Sequence, residues 1–157
     1  MREMITSMYG LLLVLCASFL CGLFQRPSPF IDQKIAGPQT LCPEWSEIKV
    51  DKPLRPIGDY QQIGLVLAAP NALEFLTPSG VIQLVDGRTI HPEVELIGSD
   101  DLPFQMIYRG SRGRKMIVFD LKDKSIKKDY VRIRLRADQE IPLEAVFWSG
   151  IVIKNMP

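Results

Sequence analysis

The sequence predicts an all-β fold, a β-sandwich of about eight or nine strands, preceded by a hydrophobic N-terminal helix. Three observations carry that expectation. Residues 4–25 hold no charged side chain and are mostly apolar. From residue 44 onward, apolar runs of strand length alternate with turn-forming residues. Within residues 130–136, YVRIRLR, Val131, Ile133 and Leu135 alternate with Arg132, Arg134 and Arg136, the period of a strand with one buried and one wet face.

The N-terminal segment, 1–24, is apolar on every side. Its stretch LLLVL at 11–15 has no polar position, whereas a helix packed on a soluble core keeps a polar face. At ~1.5 Å per residue such a helix crosses a ~30 Å hydrocarbon layer. Three fates compete for it. A cleaved signal needs small residues before the cut, as Cys16 and Ser18 provide, but FLCGLF is then an apolar start for a mature chain. A lipoprotein signal wants a small residue before its cysteine, and here Leu15 precedes Cys16 and Leu20 precedes Cys21. An uncleaved anchor fits both the length and the missing cleavage site. The expected location is the membrane, with the domain outside the cytoplasm, periplasmic or extracellular; cleavage would make the protein secreted. Residues 25–43 follow with Pro27, Pro29, Pro38 and Pro43, and are expected to be an extended spacer.

The folded domain is expected over 44–157. Its candidate strands are 47–50, 61–69, 71–76, 81–85, 94–97, 104–109, 116–121, 130–136 and 145–153. Between them lie APN at 69–71, TPSG at 77–80, VDGRT at 85–89, GSDDLP at 98–103 and RGSRGR at 109–114. Asp86 followed by Gly87 predicts a type I′ hairpin, since both residues tolerate positive φ. Gly150, inside the last apolar run, predicts a bulge.

Net charge is +1, which hides a segregation. Residues 44–108 carry ten Asp or Glu against Lys49, Lys52, Arg55 and Arg88, whereas 109–136 carry eleven Lys or Arg against Asp120, Asp123 and Asp129. The basic stretch is the candidate binding site. Arg109, Arg112, Arg114 and Lys115 sit in a glycine-rich hairpin, and Arg132, Arg134 and Arg136 form the wet face of the 130–136 strand. Such a surface suits an anionic glycan, lipid head groups or an envelope protein. Acidic residues of 44–108 on neighbouring strands would instead pair with these arginines. Nucleic acid is not expected, because no aromatic-interleaved platform accompanies the bases.

Catalytic chemistry finds little support. His91 is the single histidine, and no Gly-x-Ser-x-Gly elbow supplies a nucleophile. Zinc would have to combine His91 with Glu93 or Glu95 and no cysteine pair, so neither a metal nor another cofactor is expected. Asp100 and Asp101 read as a turn before they read as a calcium site. Outside the N-terminal run only Cys42 remains, so no internal disulfide can form. Trp148 lies in the apolar run AVFWSG and is expected in the core, whereas Trp45 in CPEWSE is expected at the domain edge.

The stretch YVRIRLRADQEIPLEAVFW, 130–148, resembles the closing strands of jelly-roll domains of the galactose-binding type. There an alternating strand ends in a short acidic-to-proline turn and returns through an aromatic core strand. The resemblance implies a jelly-roll-like sandwich and a role in binding rather than catalysis; no ligand residue is carried over. The expected function is therefore a membrane-tethered or secreted, non-catalytic binding module with a basic surface at 109–136. The alternatives are a structural subunit of a cell-envelope complex pairing through its sheet edges, and a carboxylate- or metal-dependent hydrolase.

Overall fold

A computed structural model describes residues 30–57, 60–76, 81–121 and 128–151, except the side chains of residues 30, 60, 75, 76 and 151. The expected anchor, 1–24, and the lysines at 122, 124 and 127 lie outside the described residues. Among those described there is no helix, and so none long and apolar enough to cross a membrane.

The chain forms β1 (Phe30–Ala36), β2 (Gln39–Leu41), β3 (Ser46–Leu54), β4 (Tyr60–Leu67), β5 (Leu73–Leu76), β6 (Ile82–Leu84), β7 (Thr89–Ile90), β8 (Pro92–Gly98), β9 (Pro103–Arg112), β10 (Met116–Leu121), β11 (Tyr130–Ala137) and β12 (Ile141–Ile151). The main sheet is antiparallel and nearly closed, in the order β1-β12-β4-β10-β9-β8-β11-β3, with β2 also on β12. A small sheet, β5-β6-β7, is inserted between β4 and β8.

The sheet folds onto itself because its strands alternate. Ile63, Leu65 and Leu67 of β4 point inward with Ile117, Phe119 and Leu121 of β10 and Ile133 and Leu135 of β11, all 3 % exposed or less. Trp148, Tyr130 and Phe119 are the largest fully buried or nearly buried side chains. Tyr130 bridges two of the rings, edge-on to Trp148 at 6.0 Å and to Phe104 at 5.8 Å. Leu73, Ile82, Leu84 and Ile90 of the small sheet join the same core and cap one end of it. At that end the Lys115 carbonyl accepts from Leu67 N–H and the Arg114 carbonyl from Leu73 N–H, tying the β9–β10 hairpin to the cap.

Three expectations change. The sheet begins at residue 30 and not at 44: within the proline-rich stretch, FIDQKIA and QTL are strands, because the prolines flank them instead of interrupting them. Gly150 keeps a continuous register with Ile31 and Gln61, and the irregularity of β12 falls between Leu143 and Ala145. What demands glycine at 150 is a close approach, since a Cβ there would overlap the carbonyl oxygen and Cβ of Ile57. The Asp86–Gly87 hairpin forms, but not as type I′. Leu84 accepts from Gly87 N–H at 2.9 Å, and only Gly87 takes positive φ. That is a type I turn followed by a left-handed bulge residue. The 98–102 turn repeats the pattern: Gly98 accepts from Asp101 N–H at 3.1 Å, and Asp101 takes the left-handed position.

Candidate functional site

The seven candidate residues fall into two groups. Arg132, Arg134 and Arg136 project from β11 at the alternate positions that face away from the core. Both neighbours of β11 supply carboxylates. Arg134 lies opposite Glu47 of β3 and Glu95 of β8, and Arg136 opposite Glu93. Arg136 meets Glu93 at 2.8 Å, Arg134 lies 3.1 Å from Glu95, and Arg132 lies 3.3 Å from Glu47 and also pairs with Asp101. Three guanidiniums therefore face four carboxylates. Trp45 adds an aromatic plane, with the guanidinium carbons of Arg134 and Arg136 at 4.7 and 4.6 Å from its ring centre. This is a charge-matched ladder, and the half-buried Trp45 belongs to it.

The second group sits on the β9–β10 hairpin. Arg112 is drawn into the fold, because Asp32, Ser149, Gln62 and Asp120 stand in register across β1, β12, β4 and β10. Arg112 donates to Asp32 and to Gln62 Oε1, each at 2.7 Å. Gln62 donates to Asp120 at 2.7 Å, and Ser149 donates to Asp32 at 2.5 Å. Gln62, Asp120 and Ser149 are buried, so these bonds replace lost water and fasten the edge strand β1 to the sheet. Arg109, Arg114 and Lys115 stay at the surface. Arg109 is 64 % exposed and 3.6 Å from Asp120, and Arg114 is 71 % exposed and 3.4 Å from Glu74. Lys115 is exposed and makes no ion pair among the described residues.

His91 and Asp138 form a separate pair where the small sheet meets the β11–β12 turn. The imidazole Nδ1 lies 2.8 Å from Asp138, whose other oxygen accepts from His91 N–H at 2.7 Å. Partial burial raises the Asp138 pKa, but the backbone N–H of His91, its imidazole and its charge outweigh that and hold the carboxyl below its ordinary value. Asp86 is likewise lowered by its hydrogen bonds from Arg88, and Asp100 by Lys128. A depressed carboxylate stabilises the fold above its unfolded pKa and loses that effect as pH falls through its folded value. Asp138→Asn should therefore flatten the fall of the urea midpoint below about pH 4, by less than about 1 kcal/mol because the pair is solvated. A profile identical to that of the unaltered chain would exclude a role for the pair.

Among the described residues no group of three His, Cys, Asp or Glu converges as a metal site requires. The Cys42 thiol donates to the Glu44 carbonyl at 3.5 Å. No protein-family model matches the chain, and no curated protein matches it.

Proposed function

We propose that this chain is a non-catalytic binding module, membrane-tethered or secreted, whose β-domain works outside the cytoplasm. It engages fixed negative charge on a glycan, a lipid head group or an envelope protein through exposed cations of the β9–β10 hairpin. The jelly-roll reading of the fold is supported by strand order. With β1 and β2 counted as one strand and the small sheet set aside, the path around the sheet runs first, eighth, third, sixth, fifth, fourth, seventh, second. That is the order two interlocked Greek keys produce.

One observation carries the binding assignment. The arginines of β11 are matched by carboxylates and Arg112 is tied to Asp32 and Gln62, so among the described residues of 109–136 the mostly exposed Arg109 and Arg114 keep a single longer carboxylate contact each and Lys115 keeps none. Backbone bonds from Leu67 and Leu73 hold the carbonyls of the last two residues, so the cations are presented from a fixed turn. Each such base near an anionic surface contributes on the order of 1 kcal/mol.

Replacing Arg109, Arg114 and Lys115 together by glutamine should weaken retention on a sulfated polysaccharide and on anionic vesicles by about a hundredfold at low salt. The lysine-for-arginine version should retain binding, and added salt should erase the difference. Unchanged retention of the glutamine variant would refute the assignment.

A further inference from the structure

Among the described residues the main sheet does not close along its whole length. Its hydrogen-bonded path ends at β1 on one side and β3 on the other. At the capped end the two are joined by residues 42–45, where the Cys42 carbonyl accepts from Ala137 N–H at 2.9 Å. Toward the opposite end they separate. Lys49 stands opposite Arg132 and Leu54 opposite Tyr130, so Val50, Asp51, Lys52 and Pro53 face a single residue of β11 and leave the ladder. The gap is a cleft of about 520 Å³, lined by Gln33 of β1 and by Lys52, Pro53, Arg55, Pro56 and Ile57.

Three features of this seam point to one kind of occupant. Its wall is preformed: Trp148 Nε1 donates to the Arg55 carbonyl at 2.8 Å, and Ile57 rests against Gly150. Second, β1 pairs with β12 on one side only among the described residues, so alternate N–H and C=O groups of β1 face the gap. The 52–57 wall is different, since Pro53 and Pro56 have no N–H to offer. Ile31 shares a strand face with Gln33, two residues on, and lies opposite Gly150, yet it is 49 % exposed. An apolar side chain on the inward face of an edge strand is left half bare where the barrel is open. The third feature is charge. Lys52 is exposed with no ion pair among the described residues, and Arg55 is 81 % exposed with a 3.6 Å contact to Asp129.

We propose that this seam receives an extended, acidic segment of a partner protein as an added strand on β1. The backbone of the segment continues the ladder, an apolar side chain covers Ile31, and its carboxylates meet Lys52 and Arg55. The hairpin's Arg112 bonds Asp32 of β1 beside the seam and is left unaltered in the variant of Arg109, Arg114 and Lys115, so this site stands or falls without those three cations.

The test uses the full chain and two labelled peptides of about eight residues, one alternating valine with glutamate and one alternating valine with lysine, compared by anisotropy. The acidic peptide should bind, and should protect amides of 30–36 from hydrogen exchange. K52E with R55E should weaken that binding by at least about tenfold and favour the basic peptide. Both side chains are exposed, so the fold should survive. The glutamine variant of the hairpin should bind the acidic peptide unchanged. No binding of the acidic peptide, binding without protection of 30–36, or an effect of the hairpin variant in place of K52E and R55E would each overturn the proposal.

Discussion

Trp148→Ala is expected to cost about 3–5 kcal/mol of folding stability, a large share of the roughly 5–15 kcal/mol that holds a domain of this size. The indole is fully buried and lies edge-on to Tyr130. Its removal takes away more apolar surface than any other single truncation in this core, and the strands around it are fastened by the ladder and cannot collapse into the void. Its N–H also holds the Arg55 carbonyl. Trp148→Phe separates the two contributions: most of the packing stays and the hydrogen bond goes, for about 1–2 kcal/mol. Urea unfolding followed by far-UV circular dichroism measures both. Hydrogen exchange at 55–57 should quicken in the phenylalanine variant. A loss below about 1 kcal/mol in the alanine variant would show that this part of the core is not packed as described.

The same core carries an ionisable group that does not titrate at working pH. Burial pushes the Tyr130 hydroxyl up to about 12, and it finds no hydrogen-bond partner among the described residues.

Gly150→Ala is the second large effect. The added methyl would overlap the Ile57 carbonyl oxygen and Cβ, with the Ile57 Cγ2 only 2.5 Å away. A backbone oxygen cannot rotate aside as a side-chain tip can, so β12 or the segment after β3 has to move. The expected cost is about 1–3 kcal/mol. Gly37→Ala is the matched control, because among the described residues nothing lies within 4 Å of a Cβ placed there, and it should stay within about 0.5 kcal/mol of the parent. Equal effects of the two substitutions would remove close approach as the reason for glycine at 150. Since Ile57 also lines the seam, Gly150→Ala should disturb peptide capture there even where the fold survives.

Legibility in the sequence followed how completely each strand is buried on one face. In β11 the alternation of Ile133 and Leu135 with the arginines survives because the sheet covers one side and water the other, whereas Val131, at the irregularity between Tyr130 and Arg132, is only half-buried and Tyr130 takes the core position. In β1 the pattern is blurred: Ile31 is half exposed at an edge, and Asp32 is recruited by Arg112. With prolines on both flanks, that strand has the composition of a spacer. The hairpin of residues 84–88 announced itself through Asp86 and Gly87, but its turn type depended on which residue took positive φ, and that follows from a hydrogen bond to Leu84.

The candidate site divides the same way. That 109–136 is rich in bases, that 44–108 is rich in acids, and that the two could pair across strands were all visible in composition. Which cations stay open to solvent was not, because register alone sets Arg134 and Arg136 opposite Glu95 and Glu93 while the hairpin carries Arg114, beside Glu74, and Lys115 to the surface. The seam left fainter marks, two prolines and two cations in KPLRP at 52–56.

Taken alone, the sequence determined the all-β class, most of the strands and the segregation of charge, since these depend on side-chain period and turn chemistry within a few residues. Only the tertiary structure decided where the sheet stays open. That depends on how β3 leaves the ladder on β11 and how Gly150 and Trp148 hold the segment behind it. The last two contacts join residues 93 positions apart, a separation no local pattern can encode.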